Sequence, residues 1–139
     1  ADGLLHLDAI VGKLLKQLDD MGVANNTIVL FTSDNGVNLA HWPDAGTPAF
    51  RGEKGLTWDG GFRVPMLVRW PGRVPANEWT GEFMTSEDWL PTLMAAVGDP
   101  GLKEQLLKGT RIGERDYKLH LDGYDQTDML TGKGKSKRR

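Results

Sequence analysis

Two neighbouring stretches of the sequence carry side chains that could bind ions. The first, TSDNG at residues 32–36, presents a carboxylate at Asp34 and an amide oxygen at Asn35. Both are hard oxygen ligands of the kind that calcium or magnesium takes. The same Asp-Asn-Gly sequence also favours a simple turn, because these residues bond to their own backbone and tolerate positive φ. The motif by itself leaves a metal site and a plain turn both open.

The second stretch combines glycines with cationic side chains. It reads FRGEKG over residues 50–55 and WDGGFRVP over residues 58–65. Lys54 carries a compact ammonium charge, and Arg51 and Arg63 carry planar guanidinium groups that can donate two parallel hydrogen bonds. The glycines allow an anion to approach the backbone closely. A solvated loop in which these charges pair with Glu53 and Asp59 fits the same residues. The stretch predicts either an anion site or an ion-paired loop.

A strand and a long irregular segment must position these residues. The run TIVLFT at 27–32 is apolar and β-branched, which is typical of a strand covered on both faces in a parallel sheet. Ligand sites of open α/β sheets lie beyond the carboxyl ends of strands, where Asp34 and Asn35 follow. Residues 33–63 then lose all periodicity, and loops of that length are usually functional or disordered. The aromatic residues within this segment favour an ordered loop.

Apolar periodicity and Gly or Pro signals predict the remaining elements. They are a helix over about 3–22, a strand over 64–70, a helix from about 87 to 97, a helix over 100–108, an extended piece at 117–121 and turns over 122–132. Pro91 sets the start of the third of these, because proline is tolerated only in the first turn of a helix. Gly98 is predicted to end that helix.

The amino-acid composition is that of an ordinary globular domain and does not indicate a particular binding partner. The 139 residues are 39% hydrophobic and 26% charged, and 17 basic against 19 acidic residues give a net charge of −2. This balance predicts no general attraction to nucleic acid or to an anionic membrane. The absence of cysteine excludes disulfides and thiol nucleophiles within these residues. No run approaches the ~18 apolar residues of a membrane helix, and no targeting signal is visible to fix a compartment.

In their order and spacing, the motifs resemble the second half of the sulfatase catalytic domain, closest to the arylsulfatase branch. TSDNG, FRGEKG, DGGFRVP at 59–65 and WPG at 70–72 carry the resemblance. DWLPTL at 88–93 and DGYD at 122–125 extend it over roughly residues 8–132. It implies an α/β fold, a fragment of the alkaline-phosphatase-like sulfatase fold with a mixed or parallel sheet packed with helices. Residues 1–132 would belong to the catalytic domain, and residues 133–139 would form a basic, disordered tail.

The resemblance also implies roles for individual residues. By similarity, Asp34 and Asn35 would be two of the ligands of a calcium ion, Ca²⁺. Lys54 would contact the sulfate group of a sulfate-ester substrate, and Arg51 and Arg63 would support the loop. In the complete enzyme, a hydrated aldehyde would attack sulfur while calcium and Lys54 neutralise the sulfate oxygens.

The chain departs from the family pattern at two places. The family commonly has Glu before the paired glycines, whereas this chain has Asp59, one methylene shorter. Sulfatases also depend on a formylglycine made within a Cys/Ser-x-Pro-x-Arg motif, and these residues contain no such motif. The family's other acidic calcium ligands and its catalytic histidines belong to the same earlier part of the domain. The resemblance therefore implies a fragment of a sulfuric ester hydrolase that is inactive alone. Two ligands of the about 6–8 that calcium prefers predict weak or absent calcium binding by the isolated chain.

Two other functions fit the same residues. A related phosphoester or phosphonate hydrolase is one, since the superfamily handles both kinds of tetrahedral anion. A non-catalytic binding domain of the same shape is the other. A fragment should leave apolar surface uncovered, which predicts self-association, partial disorder, or both. His6 is predicted to be a surface residue of the first helix, whereas His41 and His120 have no partners at ligand spacing and are not expected to be catalytic.

Overall fold

The computed structural model describes residues 2–41, 46 and 49–138. Its backbone divides into two compact units, Ala1–Gly72 and Arg73–Arg139. Within the described residues, each unit combines helices with one two-stranded antiparallel sheet. Residues 42–45, 47 and 48, which belong to the predicted loop, lie outside the described residues.

The first unit contains a long helix and two short strands. Its elements are α1 (Asp2–Asp20), β1 (Val29–Thr32), α2 (Asp59–Phe62) and β2 (Met66–Arg69). The helix ends at Asp20, two residues before Gly22, the predicted stop signal, whose positive φ of 69° suits a residue without a side chain. α2 was not predicted, because a helix of 4 residues has no measurable apolar period.

The sheet of the first unit is an antiparallel pair. Val29 lies opposite Arg69 and Thr32 lies opposite Met66, and the Thr32 hydroxyl donates to the Pro65 carbonyl at 3.0 Å. The parallel neighbour and the cover on both faces that the sequence predicts are not present among the described residues. Three of the four residues of β1 are exposed. An apolar run indicates that a strand can be buried, but it does not identify the segment that covers it.

One face of this unit carries an apolar groove of about 360 Å³. Helix α1 has no buried residue, and Leu4 and Leu67 are 73% and 67% exposed. Apart from the charged residues Asp8 and Arg69, the groove is lined by apolar residues of α1 and both strands: Leu4, Leu7, Val11, Leu15, Val29, Phe31, Leu67 and Val68. The uncovered apolar surface expected from the sequence is therefore present, while self-association stays a prediction.

The second unit places short helices beside a hairpin. Its elements are α3 (Trp89–Ala96), α4 (Leu102–Lys108), β3 (Thr110–Ile112), β4 (Arg115–Tyr117) and α5 (Thr127–Leu130). Pro91 lies in the first turn of α3, as predicted, and Gly98 follows its end with φ of 98°. Of the extended piece predicted at 117–121, only Tyr117 lies in a strand, because β3 and β4 pair earlier through a turn at Gly113 with φ of 60°.

A buried carboxylate organises the second unit. Asp88 is fully buried and accepts hydrogen bonds from Arg138 Nε and Nη2 and from the Tyr124 N–H, all at 2.8 Å. Gln126 Nε2 and the Thr85 N–H each donate at 3.1 Å. Burial opposes ionisation of this group, but the bonds from Arg138, Tyr124, Thr85 and Gln126 outweigh it and lower the pKa of Asp88 to about 2. Asp88 and these four donors thus form one hydrogen-bonded network.

The basic end of the chain, predicted as a disordered tail, is bonded to this unit up to Arg138. The Ser136 hydroxyl donates to the Phe83 carbonyl, and the Ser136 N–H donates to Glu82 Oε2 at 3.0 Å. Arg138 reaches Asp88, which lies 50 residues earlier. Composition predicts a solvated run of charges, since it cannot reveal a partner that distant in sequence. Among the described residues, no helix has the length and apolar character needed to cross a membrane.

Candidate functional site

Strand β1 ends at Thr32 and leads directly into the predicted metal ligands. We call residues 33–41 the Asp-Asn loop. Asp34 is exposed and Asn35 is half-buried. The Asn35 side-chain nitrogen donates to the Gly36 carbonyl at 2.9 Å, and the Ser33 hydroxyl donates to the Asn35 carbonyl at 2.9 Å. The amide nitrogen of Asn35 is thus used inside the loop, which leaves its side-chain oxygen to accept or ligate.

Backbone hydrogen bonds join the Asp-Asn loop to the segment that carries Lys54. We call that segment, residues 50–63, the glycine loop. The Gly36 N–H donates to the Gly61 carbonyl at 2.9 Å, and the Lys54 N–H donates to the Val37 carbonyl at 2.7 Å. The structure therefore brings the backbone of Lys54 beside the residues that follow Asp34 and Asn35. The side chain of Lys54 is exposed.

Glycines allow the two loops to touch through bare backbone. A Cβ placed on Gly36 would lie 1.8 Å from the Gly60 carbonyl oxygen. A Cβ on Gly60 would lie 2.2 Å from the Gly52 oxygen, and one on Gly61 would lie 2.3 Å from the Leu56 oxygen. Contacts this short exclude any side chain. Gly36 is therefore required by packing between the loops, and Gly60 and Gly61 are required by packing within the glycine loop.

The two arginines of the glycine loop stack on aromatic rings. The Arg51 guanidinium lies 4.0 Å from the centroid of the Trp58 ring, and the Arg63 guanidinium lies 4.2 Å from that of Phe50. Arg63 Nη1 also lies 3.7 Å from Asp59 Oδ2, which is an ion pair without a normal hydrogen bond. These contacts agree with a supporting role for both arginines.

Glu53 takes part in this site in a way that the sequence did not reveal. Its carboxylate accepts hydrogen bonds from the Leu39 N–H at 2.8 Å and from the Ala40 N–H at 3.3 Å. The sequence suggested that Glu53 pairs with a cation of its own loop. Its partners are instead backbone donors at a separation of 13 and 14 residues, which no local pattern predicts.

All three histidines are exposed, which confirms the prediction for His6. His41 and His120 are exposed; His41 Nδ1 lies 3.2 Å from Asn38 Oδ1, and His120 Nδ1 lies 3.3 Å from Asp122 Oδ1. Across the part of the chain that the structure describes, no group of three or more His, Cys, Asp or Glu side chains is placed to hold a metal ion. Asp34 and Asn35 are of the right chemical type for calcium, but calcium takes about 6–8 oxygens.

Comparison with known proteins identifies the family. The family model described as Sulfatase matches residues 1–99. The chain belongs to the sulfatase family. This sulfatase chain is 39% identical to arylsulfatase A of Homo sapiens over 139 residues, which covers 99% of the chain and 24% of the relative. It is 38% identical to N-acetylgalactosamine-6-sulfatase of Homo sapiens over 113 residues, covering 80% of the chain and 22% of that relative.

A solved structure confirms the predicted fold class. The crystal structure of the PsFucS1 sulfatase from Pseudoalteromonas sp. matches with a TM-score of 0.80 and 34% identity, over 99% of this chain and 25% of that one. The sulfatase chain thus spans about a quarter of the length of the relatives it matches.

Proposed function

We propose that this sulfatase chain forms part of an arylsulfatase-like sulfuric ester hydrolase. In this proposal Asp34 and Asn35 supply two calcium ligands, and Lys54 contacts the sulfate group of the substrate. The observation that carries the proposal is the pair of hydrogen bonds between the two loops, from Gly36 N to Gly61 O at 2.9 Å and from Lys54 N to Val37 O at 2.7 Å. They support the proposal because they join the segment that carries Lys54 to residues 36 and 37, which directly follow Asp34 and Asn35.

The chemistry of the Asp-Asn loop supports the metal part of the proposal. Asp34 provides an exposed carboxylate, and the internal bond of the Asn35 amide nitrogen at 2.9 Å leaves the amide oxygen available. Both are oxygen ligands that calcium accepts. When bound, the ion would supply Lewis acidity and a template for the sulfate oxygens.

The arrangement of cations supports the anion part. Arg51 and Arg63 lie over aromatic rings, at 4.0 and 4.2 Å from the ring centroids. Lys54 is exposed, and its ammonium can approach a sulfate oxygen as a point charge and donate a charge-assisted hydrogen bond. We therefore assign the sulfate contact to Lys54 and the support of the loop to the arginines.

The 139-residue chain by itself should be inactive. It contains no Cys/Ser-x-Pro-x-Arg motif to supply the formylglycine, and two oxygen ligands are far fewer than calcium requires. Calorimetric titration of the isolated chain with calcium should show weak binding or none. Tight binding would contradict the proposed division of ligands.

The activity itself is tested in a protein that joins this chain to a segment bearing the formylglycine motif. Hydrolysis of an aryl sulfate ester should require calcium, and Lys54→Ala should lower kcat/KM by about 100-fold or more. Lys13→Ala, which removes an exposed lysine of α1, is the matched control and should have no effect. Equal activity of the two variants would overturn the role of Lys54.

The same assay separates the other functions that the family resemblance leaves open. Faster hydrolysis of the corresponding aryl phosphate or phosphonate ester would favour a related hydrolase of those esters. Absence of turnover with either ester, whether or not a chelator is added, would favour a non-catalytic binding domain. In the proposal made here, sulfate is the preferred ester and the chelator abolishes turnover.

A further inference from the structure

We propose that Glu53 is a positioning residue that holds the Asp-Asn loop against Lys54. The proposal rests on the proposed function of these two loops as the ends of one ion-binding site. Glu53 immediately precedes Lys54 and is half-buried. Its side chain and the backbone of its neighbour both bond to the same short segment, residues 37–40.

The carboxylate of Glu53 bonds to two successive backbone donors of the Asp-Asn loop. Its Oε2 lies 2.8 Å from the Leu39 nitrogen and 3.3 Å from the Ala40 nitrogen. Hydrogen bonds to an ionised acceptor are stronger than those between neutral groups. Leu39 is half-buried, so loss of the acceptor would leave a donor partly shielded from water.

Backbone hydrogen bonds of residues 53 and 54 add to those of the Glu53 side chain, and we call the whole set the Glu53 clamp. The Lys54 N–H donates to the Val37 carbonyl at 2.7 Å, and the Glu53 carbonyl accepts from the Leu56 N–H at 3.0 Å. Residues 53 and 54 thus fix one side of the Asp-Asn loop at three of its backbone groups. This arrangement sets the distance between the start of the Lys54 side chain and the predicted calcium ligands.

The contacts of Glu53 also explain how a carboxylate can stand next to a sulfate-binding lysine. Among the ion pairs of the described residues, none involves Glu53. Its charge is directed at backbone N–H groups, and it does not form an ion pair with Lys54. The residue therefore orders the loop and leaves the lysine charge available for an anion.

Hydrogen exchange of the 139-residue chain, read by mass spectrometry at single-amide resolution, tests the clamp. Glu53→Ala and the shorter Glu53→Asp should speed exchange at Leu39 and Ala40 by about 10-fold or more, because both lose the acceptor at that position. Glu53→Gln keeps an oxygen of the same reach and should remain within about 3-fold of the parent chain. Glu78→Ala removes an exposed carboxylate and serves as the control.

Two results would overturn the positioning role. One is unchanged exchange at Leu39 and Ala40 in both Glu53→Ala and Glu53→Asp. The other is faster exchange that extends equally through α1 in Glu53→Asp, since that would show general unfolding and no local clamp. Selective loss in Glu53→Asp with rescue in Glu53→Gln supports it even if Glu53→Ala fails to fold.

A second measurement links the clamp to the ion site. In the joined protein that bears the formylglycine motif, with calcium present, inorganic sulfate should slow acylation of Lys54 by an amine-reactive reagent. The protection should be kept in Glu53→Gln and be smaller in Glu53→Asp. No protection by sulfate in the joined protein without a substitution would refute the proposed function and leave the exchange result to judge the clamp. Equal protection in all three chains would refute the link between Glu53 and Lys54.

Discussion

Replacement of Asp88 by asparagine should destabilise the second unit, and the size of the effect should depend on pH. The change removes the charge that Arg138 contacts at 2.8 Å and turns an amide donor toward N–H groups. Breaking a buried ion pair by removing one partner costs about 3–5 kcal/mol. Since the Arg138 side chain keeps 24% of its surface in water, we expect a loss of about 3 kcal/mol at neutral pH.

The pKa of Asp88 gives the pH dependence. Its fall from 3.8 to about 2 in the folded state contributes about 2 kcal/mol to the free energy of unfolding. Because the folded-state pKa lies below the ordinary value, this contribution is fully present above the ordinary pKa. It is lost as the pH falls through the folded-state pKa. The difference in stability between the parent chain and Asp88→Asn should therefore shrink by about 2 kcal/mol between pH 6 and pH 2.

Hydrogen exchange of amides in α3 and α4, measured across this pH range, gives the free energy of opening of the second unit. Asp116→Asn changes an exposed carboxylate of β4 and is the matched control, with an expected effect within about 0.5 kcal/mol at every pH. A difference between the parent chain and Asp88→Asn that stays constant down to pH 2 would refute the reasoning. So would a loss at neutral pH no larger than that of the control.

Three further outcomes are expected from the structure. Gly36→Ala should lower the free energy of unfolding of the first unit by more than about 2 kcal/mol in urea titration, because its Cβ would lie 1.8 Å from the Gly60 oxygen. Gly12→Ala, whose new Cβ has no atom within 4 Å, should raise the free energy of unfolding by up to about 1 kcal/mol. A Gly36→Ala variant more stable than Gly12→Ala would contradict the packing argument. Leu67→Lys should reduce self-association in sedimentation velocity more than Leu107→Lys, which changes an exposed leucine outside the groove, and equal masses for the two would exclude the groove as the interface. A chain that ends at Lys135 should open its second unit about as readily as Asp88→Asn, since it lacks Arg138; native-like exchange would show that the end is dispensable.

Elements with a strong local signal were predictable from the sequence. The apolar period of α1, the turn at Gly22 and the position of Pro91 in the first turn of α3 all follow from propensities of adjacent residues. The hairpin formed by β3 and β4 was missed, although its turn at Gly113 is a recognisable signal. The antiparallel partner of β1 lies more than 30 residues later in the chain, so its identity depends on tertiary structure.

The candidate site was predictable in its residue types but not in its connections. The motifs around Asp34 and Lys54 predict ion binding from the chemistry of their side chains. The contacts of Glu53 could not be inferred, because its carboxylate accepts hydrogen bonds from backbone N–H groups. Every residue except proline has such a donor, so residue types do not reveal the partner. The ion pair between Arg138 and Asp88 could not be predicted either, because the two residues are 50 positions apart in the sequence.

The contact of Gly36 with Gly60 and Gly61 bears on which positions of the two loops can vary. Where two peptide backbones meet directly, the spacing between loops is set by atoms that every amino acid shares. The side chains at neighbouring positions such as Val37 and Leu56 can then be exchanged without moving the two backbones apart. On the proposed function, these loops could differ between sulfatases in the side chains that they present while the spacing between Asp34 and Lys54 is kept.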